Sequence, residues 1–130
     1  MNILLDTCAL VWAVSSPESL TEAARAALTA ATTTVHVSPI SCAEVACAVE
    51  RDRLALDRHW KLWFRHFVEL NGWRTVDLDL DVIEEAYSLP APFHRDPTDR
   101  FLVATARLTN CTIVTADRRI LDYPHVATLW

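Results

Sequence analysis

Glycine is almost absent from this chain, since Gly72 is its single occurrence among 130 residues. The phosphate-binding loops G-x-G-x-x-G and G-x-x-x-x-G-K-[ST] each need at least two glycines, which let the backbone approach a phosphate closely. The sequence therefore excludes the dinucleotide-binding and P-loop classes of nucleotide-binding protein.

Long apolar runs and a secretory leader are also missing. No stretch approaches the roughly 20 apolar residues of a membrane helix, and residues 1–6 have neither a basic start nor a cleavage site. The four cysteines show no C-x-x-C spacing; they are Cys8, Cys42, Cys47 and Cys111. We expect a cytoplasmic protein without a membrane partner, whose cysteines are small buried apolar side chains rather than zinc ligands or redox pairs.

The residues that are present are typical of one globular domain. With 52% hydrophobic and 22% charged residues, a chain of 130 residues suffices for one sizeable core but not for two. The formal net charge of -5 opposes an anionic partner such as nucleic acid. However, every basic residue except Lys61 is an arginine, the side chain best suited to phosphate, and several flank acidic stretches: Arg95, Arg100, Arg118 and Arg119.

Short apolar runs alternate with helical segments along the chain. Strands are predicted at 3–5, 35–38, 74–78, 112–115 and 126–129, and most of the segments between them are long enough to carry a helix. Because parallel strands need such crossovers, we predict an α/β fold. It would be a single domain spanning residues 1–130, with a mainly parallel sheet of about five strands and helices on both faces.

The helix caps can also be predicted. Ser41 and Glu44 have the spacing of a capping box, which would place Glu44 in the first turn of a helix that starts near residue 42. Asp81 is predicted to cap a helix over 82–89.

Two further helices have distinctive apolar faces. Thr98 and Asp99 suit the cap and first turn of a helix that is apolar nearly all round, as far as Leu108. Four aromatic residues share one face of an earlier helix: Trp60, Trp63, Phe64 and Phe67. That face either packs in the core or forms a groove for a partner helix.

Four acidic residues are predicted to meet at one edge of the sheet. Asp6 and Asp117 follow strands, whereas Glu44 and Asp99 open helices at the same edge. Like charges held close together raise one another's pKa and destabilise the empty fold, a conflict that a divalent cation relieves. A water whose pKa is lowered by such a cation can attack a phosphodiester, and a second metal can steady the leaving oxygen. The pattern thus indicates metal-dependent hydrolysis.

Four segments carry a resemblance to a known family: Leu5–Leu10, Ser38–Glu44, His94–Ala106 and Thr115–Asp117. In order and spacing they resemble the PIN domain and, more narrowly, the VapC toxins of type II VapBC toxin–antitoxin systems. The resemblance spans nearly the whole chain. It implies an endoribonuclease that depends on Mg²⁺ or Mn²⁺ and cleaves RNA as the toxin of a toxin–antitoxin pair. It also implies a homodimer that is inhibited by a cognate VapB-type antitoxin, whose tail would occupy the acidic groove.

The resemblance implies roles for individual residues as well. Four acids match the family's catalytic positions: Asp6, Glu44, Asp99 and Asp117. Three of these would be metal ligands: Asp6, Asp99 and Asp117. Thr115 would support the ligands, and Asp96 of the H-R-D-P-x-D-R pattern would fix the loop or act as an outer-sphere ligand. Cys8 stands where histidine is frequent and Thr98 where an aromatic residue is frequent, and both departures bear on the shape of the groove.

Two other interpretations are open at this point. The chain could be a catalytically silent PIN-like domain that binds a protein partner, with its carboxylates serving as helix caps and surface charge. A phosphatase of the haloacid dehalogenase type needs a D-x-D motif after the first strand, and Cys8 occupies the second aspartate's position. This second class is therefore disfavoured.

Overall fold

The computed structural model describes all 130 residues and contains one five-stranded sheet. In chain order the elements are β1 (Asn2–Leu5), α1 (Thr7–Ser15), α2 (Glu22–Thr29), β2 (Thr34–Val37), α3 (Pro39–Glu50), α4 (Trp60–Leu70), β3 (Arg74–Thr75), α5 (Leu80–Ala86), α6 (Pro97–Thr109), β4 (Thr112–Val114), α7 (Arg118–Leu121) and β5 (Thr128–Leu129). A short 3₁₀ turn at Pro17–Ser19 joins α1 to α2.

All strand pairings are parallel, in the order β3-β2-β1-β4-β5. Ile3 of the central strand β1 lies opposite Val35 of β2 on one side and opposite Thr112 of β4 on the other. The order of the strands reverses between β1 and β4, and in open parallel sheets ligands bind beyond the strand ends at such a reversal. The predicted α/β class and the parallel sheet of five strands are confirmed.

The side chains of β1 alternate between two cores. Ile3 and Leu5 pack on one face of the sheet together with Trp63, whereas Leu4 packs on the other face with Leu102. The three β1 side chains are at most 1% exposed. Because both faces of the strand are buried, as is usual for parallel sheets, its carboxyl end is held rigidly.

Helix α3 begins earlier than its sequence pattern predicts. Its cap is Ser38, whose hydroxyl accepts a hydrogen bond from the Ile40 N–H, and Pro39 occupies the first helical position. Proline fits there because that position needs no N–H donor. Glu44 consequently lies in the second turn, and the prediction of a capping box from Ser41 to Glu44 is wrong.

The cap of α5 also differs from the prediction. Asp79 accepts a hydrogen bond from the Val82 N–H at 3.0 Å and is followed directly by the helix, so Asp81 lies in the first turn rather than at the cap. The aspartate with the correct spacing to a free N–H becomes the cap.

Helix α6 is capped by Asp96, which accepts from the Thr98 N–H at 3.1 Å, and the predicted cap Thr98 is inside the helix. Asp99 keeps its predicted place in the first turn. Residues 102–106 are buried, but Leu108 is 50% exposed. The helix is therefore not buried on all sides as its apolar sequence suggests, because Arg107 and Leu108 in its last turn are exposed.

The aromatic face of α4 lies largely in the core. Trp63 and Phe64 are buried, while Trp60 and Phe67 are half-buried. The cysteines differ from the prediction, since only Cys111 is buried: Cys42 is half-buried and Cys8 and Cys47 are exposed. The longest helix, α6, has 13 residues, and no helix combines the length and hydrophobicity required to span a membrane.

Candidate active site

Asp6 lies at the carboxyl end of β1 and caps α1. One carboxylate oxygen accepts from the Ala9 N–H at 2.8 Å, and the other accepts from the Thr115 hydroxyl. The residue is only 7% exposed. Burial raises the pKa of Asp6, the two hydrogen bonds lower it, and the negative charges of Asp99 and Asp117 raise it further, so that the net shift is upward. This carboxylate therefore resists carrying its charge without a cation.

Thr115 joins the ends of β1 and β4. Its hydroxyl donates to Asp6 and accepts from the backbone N–H of Asp117 at 3.0 Å. Thr115 is fully buried, so this link is shielded from water. The residue therefore fixes the position of one acidic side chain and the backbone of another, which agrees with its expected supporting role.

Asp117 caps α7 through a hydrogen bond from the Arg119 N–H at 2.8 Å. Partial burial favours a higher pKa for Asp117, but the side-chain and backbone hydrogen bonds from Arg119 outweigh it and lower the pKa. Among the four predicted acids, Asp117 is thus the one whose charge is already compensated within the protein.

Asp99 projects from the first turn of α6 and is nearly buried, with its side chain 13% exposed. Its Oδ2 lies 2.6 Å from His94 Nε2 and 3.4 Å from Arg119 Nη2. Burial raises the pKa of Asp99, the hydrogen bond with His94 lowers it, and the charges of Asp96 and Asp117 raise it again; the net shift is upward.

Glu44 reaches the same place from the second turn of α3. Thr7, the first residue of α1, donates its hydroxyl proton to Glu44 Oε1, and the hydroxyls of Thr7 and Ser41 lie 2.9 Å apart. Burial raises the pKa of Glu44, the bond from Thr7 lowers it, and the charges of three aspartates raise it: Asp99, Asp96 and Asp6. Thr7 contacts only Oε1, and the other carboxylate oxygen of Glu44, Oε2, has no hydrogen-bond partner within the protein.

These contacts bring the four predicted acids into one cluster. Although Cys8 is exposed as a residue, its thiol is partly desolvated, which raises its pKa, and the charges of all four acids raise it further: Asp6, Glu44, Asp117 and Asp99. The expected convergence at one sheet edge is therefore observed. We refer to Asp6, Glu44, Asp99 and Asp117 as the acidic cluster.

Three residues of the site were not predicted as its members. They are Thr7, which orients Glu44; His94, which contacts Asp99; and Arg119, whose Nη2 contacts Asp117 Oδ2 at 3.1 Å as well as Asp99 Oδ2. His94 opens the H-R-D-P-x-D-R pattern, and Thr7 and Arg119 each lie within two residues of a predicted acid. Their closeness to predicted site residues in the sequence is the signal that could have identified them.

Arg100 has a structural role instead of the phosphate contact suggested by its sequence neighbours. Its guanidinium donates to the backbone carbonyls of Ala86, Phe93 and His94 at 2.9–3.0 Å. Every nitrogen of the side chain is thus engaged in holding the loop before α6 against α5. Arg95 and Arg118 are exposed and free to approach a ligand.

The donor set of the acidic cluster fits a hard divalent cation. It consists of carboxylate oxygens, the ligands that Mg²⁺ prefers, and burial together with repulsion between the acids raises the pKa values of three of the four carboxylates. The group whose ligand atoms lie within 4.8 Å of one another is His94, Asp96 and Asp99, which includes only one of the four acids. Arg119 bridges two of the acids, and a cation bound to both would take the place of its guanidinium.

Comparison with known proteins identifies the family of this chain. The family model for the PIN domain matches residues 3–126. The chain belongs to the PIN-domain family. It is 33% identical to Ribonuclease VapC22 of Mycobacterium tuberculosis over 131 aligned positions, which cover 99% of this chain and 98% of that protein. The expected resemblance to VapC proteins is thereby confirmed.

Solved structures share the fold of this PIN domain. VapBC2 from Rickettsia felis, bound to a promoter DNA fragment, superimposes with a TM-score of 0.67 at 16% identity, covering 99% of this chain and 98% of the other. A toxin–antitoxin complex from Klebsiella pneumoniae gives a TM-score of 0.66 at 20% identity, covering 98% of this chain and 96% of the other. At these identities the likeness concerns the fold.

Proposed function

We propose that this PIN domain is an endoribonuclease that hydrolyses RNA phosphodiester bonds with the help of Mg²⁺ or Mn²⁺. The observation that supports it most is the acidic cluster itself, in which burial and mutual repulsion raise the pKa of Asp6, Glu44 and Asp99 at the sheet edge where parallel folds bind ligands. The 33% identity to a ribonuclease over almost the whole chain supports the same conclusion.

The residues of the acidic cluster would have different roles in the reaction. Asp6, Asp99 and Asp117 would hold the cation, while Thr115 keeps Asp6 and the backbone of Asp117 in register. When bound, a divalent cation supplies water of lowered pKa and positive charge for the phosphodiester. Glu44, with Oε2 free and a raised pKa, would accept a proton from the attacking water.

The family relationship also suggests the biological setting. We propose that residues 1–130 form one PIN domain acting as the toxin of a toxin–antitoxin pair, that it forms a homodimer, and that a cognate VapB-type antitoxin inhibits it. The structural neighbours from Rickettsia felis and Klebsiella pneumoniae are toxin–antitoxin assemblies, which supports a protein partner of this kind. We place the activity in the cytoplasm, where RNA is accessible.

A cleavage assay on total RNA tests this function. The purified protein should cut RNA with Mg²⁺ or Mn²⁺, stop cutting when EDTA is added, and lose activity in Asp6→Asn. The matched control Asp77→Asn changes an exposed aspartate outside the cluster and should leave cleavage intact. Mapping the new RNA ends would identify the cleavage site. Cleavage that persists in EDTA, or in Asp6→Asn, would contradict the proposed mechanism.

A catalytically silent protein-binding module is the competing function, and one observation favours it. A groove of about 590 Å³ lies along α3 and α4, lined by Trp60, Phe64 and Val68 with the basic side chains of Lys61 and Arg65. Such a surface suits an amphipathic helix. A silent module would bind its partner there and leave RNA intact in both Mg²⁺ and Mn²⁺, which the same assay would reveal.

A further inference from the structure

A second groove begins beside the acidic cluster. Its volume is about 390 Å³, and Glu44 lines it together with Arg51 and Arg53, while Thr98 contributes from the start of α6. We call it the α3–α6 groove. Arg51 directly follows the last residue of α3 and is seven residues from Glu44, so at 1.5 Å per residue the two are separated by about 10 Å along the helix axis. One end of the groove is thus acidic, at Glu44, and the other end is basic, at Arg51 and Arg53.

The two arginines at this end have no acidic partner. The ion pairs of the structure involve other basic residues, namely Arg58, His94, Arg107 and Arg119. Both Arg51 and Arg53 are exposed, and neither donates a side-chain hydrogen bond within the protein. The acids next to them in sequence, Glu50 and Asp52, do not line the groove. The guanidinium groups are therefore available to an anionic ligand.

The rest of the groove is small and apolar. Its other lining residues are Ile40, Ala43, Cys47 and Ala48. These side chains offer van der Waals surface to a ribose or a base, but they carry few groups that could read the edge of a base. Grooves that combine cations with such surface bind single-stranded nucleic acid with little sequence preference.

We propose that the α3–α6 groove is a subsite for the phosphate backbone of single-stranded RNA, in which Arg51 and Arg53 contact phosphates flanking the scissile bond. The proposal rests on the ribonuclease function proposed above, because Glu44 belongs to both the acidic cluster and the groove. Because the overall charge of -5 repels RNA, basic side chains beside the acidic cluster would help the substrate to approach it. Arginine suits this task because its planar fork matches phosphate oxygens.

A binding titration separates this subsite from the reaction itself. The probe is a short, fluorescein-labelled, single-stranded RNA of mixed sequence, and the parent is the Asp6→Asn protein, which does not cleave it. Arg51→Gln/Arg53→Gln is compared with Arg25→Gln, which removes an exposed arginine of α2, a helix that contributes nothing to the site. Fluorescence anisotropy is recorded over a range of KCl concentrations.

The double variant should bind the RNA about tenfold more weakly, which corresponds to about 1.4 kcal/mol, since two charged contacts are lost at an exposed site. The slope of log K against log salt should fall by about 1.4, because each lost contact with a single strand removes about 0.7. In the cleaving background, KM should rise while kcat is unchanged. Circular dichroism should show the same fold for all variants.

The outcomes distinguish this proposal from the function on which it depends. If the wild type cleaves RNA but the double variant binds and cleaves like Arg25→Gln, the subsite is refuted and the ribonuclease function stands. If an acidic peptide binds to the groove and RNA binding is unaffected by the double variant, the subsite is likewise refuted. If the wild type neither cleaves nor binds RNA, both proposals fail.

Discussion

Replacing Arg119 with glutamine should tighten the binding of divalent cations to the acidic cluster and slightly destabilise the metal-free protein. The guanidinium contacts Asp99 Oδ2 at 3.4 Å and Asp117 Oδ2 at 3.1 Å, which makes it the internal counter-ion of these two carboxylates. A cation that binds to both must displace it. Breaking the two ion pairs costs free energy, and this cost weakens metal binding by the same amount.

The magnitude follows from the exposure of the side chain. Arg119 is 57% exposed, so solvent screens its two ion pairs and each stabilises the protein only slightly. Removing two such screened pairs should therefore raise the cation affinity by only about two- to tenfold. The metal-free protein should lose the same free energy, which lowers the melting temperature by about 2–6 °C for a domain of this size.

Isothermal titration calorimetry with Mn²⁺ and Mg²⁺ measures the affinity, and thermal unfolding in EDTA measures the metal-free stability. Arg118→Gln is the matched control, because Arg118 is the exposed neighbour without an ion pair and should change neither quantity. An Arg119→Gln protein whose cation affinity is unchanged or weaker than that of the wild type would refute the role of Arg119 as a competing counter-ion.

Three further predictions concern stability. Mg²⁺ at 100 times its Kd should raise the melting temperature of the wild type by about 10 °C, because binding then contributes about 2.7 kcal/mol, but it should leave Asp6→Asn unchanged; an equal rise in both would place the metal elsewhere. Acidification from about pH 7 towards pH 4 should stabilise the metal-free protein. In the unfolded chain the pKa values of Asp6, Glu44 and Asp99 are 3.8, 4.5 and 3.8, and in the folded protein they are raised. The folded state therefore takes up protons at a higher pH than the unfolded state does, which favours folding as the pH falls. Thermal unfolding in EDTA at several pH values should show this trend, weakened in Asp6→Asn. Arg100→Gln should cost at least about 3 kcal/mol in urea denaturation, because three backbone carbonyls lose a charged donor, whereas Arg107→Gln should cost less, because it removes one exposed pair with Glu85 and one bond to the His125 carbonyl.

Much of the scaffold could be predicted because its signals are local. The apolar run Ile3–Leu5 and the alternation around Val35 depend on a few consecutive residues, and crossovers long enough for helices imply parallel pairing. The placement of Asp6 directly after β1, and of Asp117 three residues after β4, follows from the same pattern. Their convergence could be predicted because parallel strands all end at the same edge of a sheet.

Helix starts were less predictable because several polar residues compete for one cap. Ser38 and Ser41 both precede suitable helical residues, as do Asp79 and Asp81. The choice depends on which side chain meets a free N–H once the preceding loop is fixed by packing. The exposed positions of Cys8 and Cys47 likewise depend on which helix faces are covered, and composition does not contain that information.

By itself, the sequence determined the α/β class, the family and the placement of four acidic residues near one edge of the sheet, since strand patterns and motif spacing are properties of neighbouring residues. Only the tertiary structure decided how their charges are balanced. Thr7, His94 and Arg119 reach the acidic cluster from three separate elements, and Arg100 turns away from it to hold backbone carbonyls. Electrostatic interactions act through space, so the partners of a buried carboxylate are fixed by the order of strands and helices around it rather than by its neighbours along the chain.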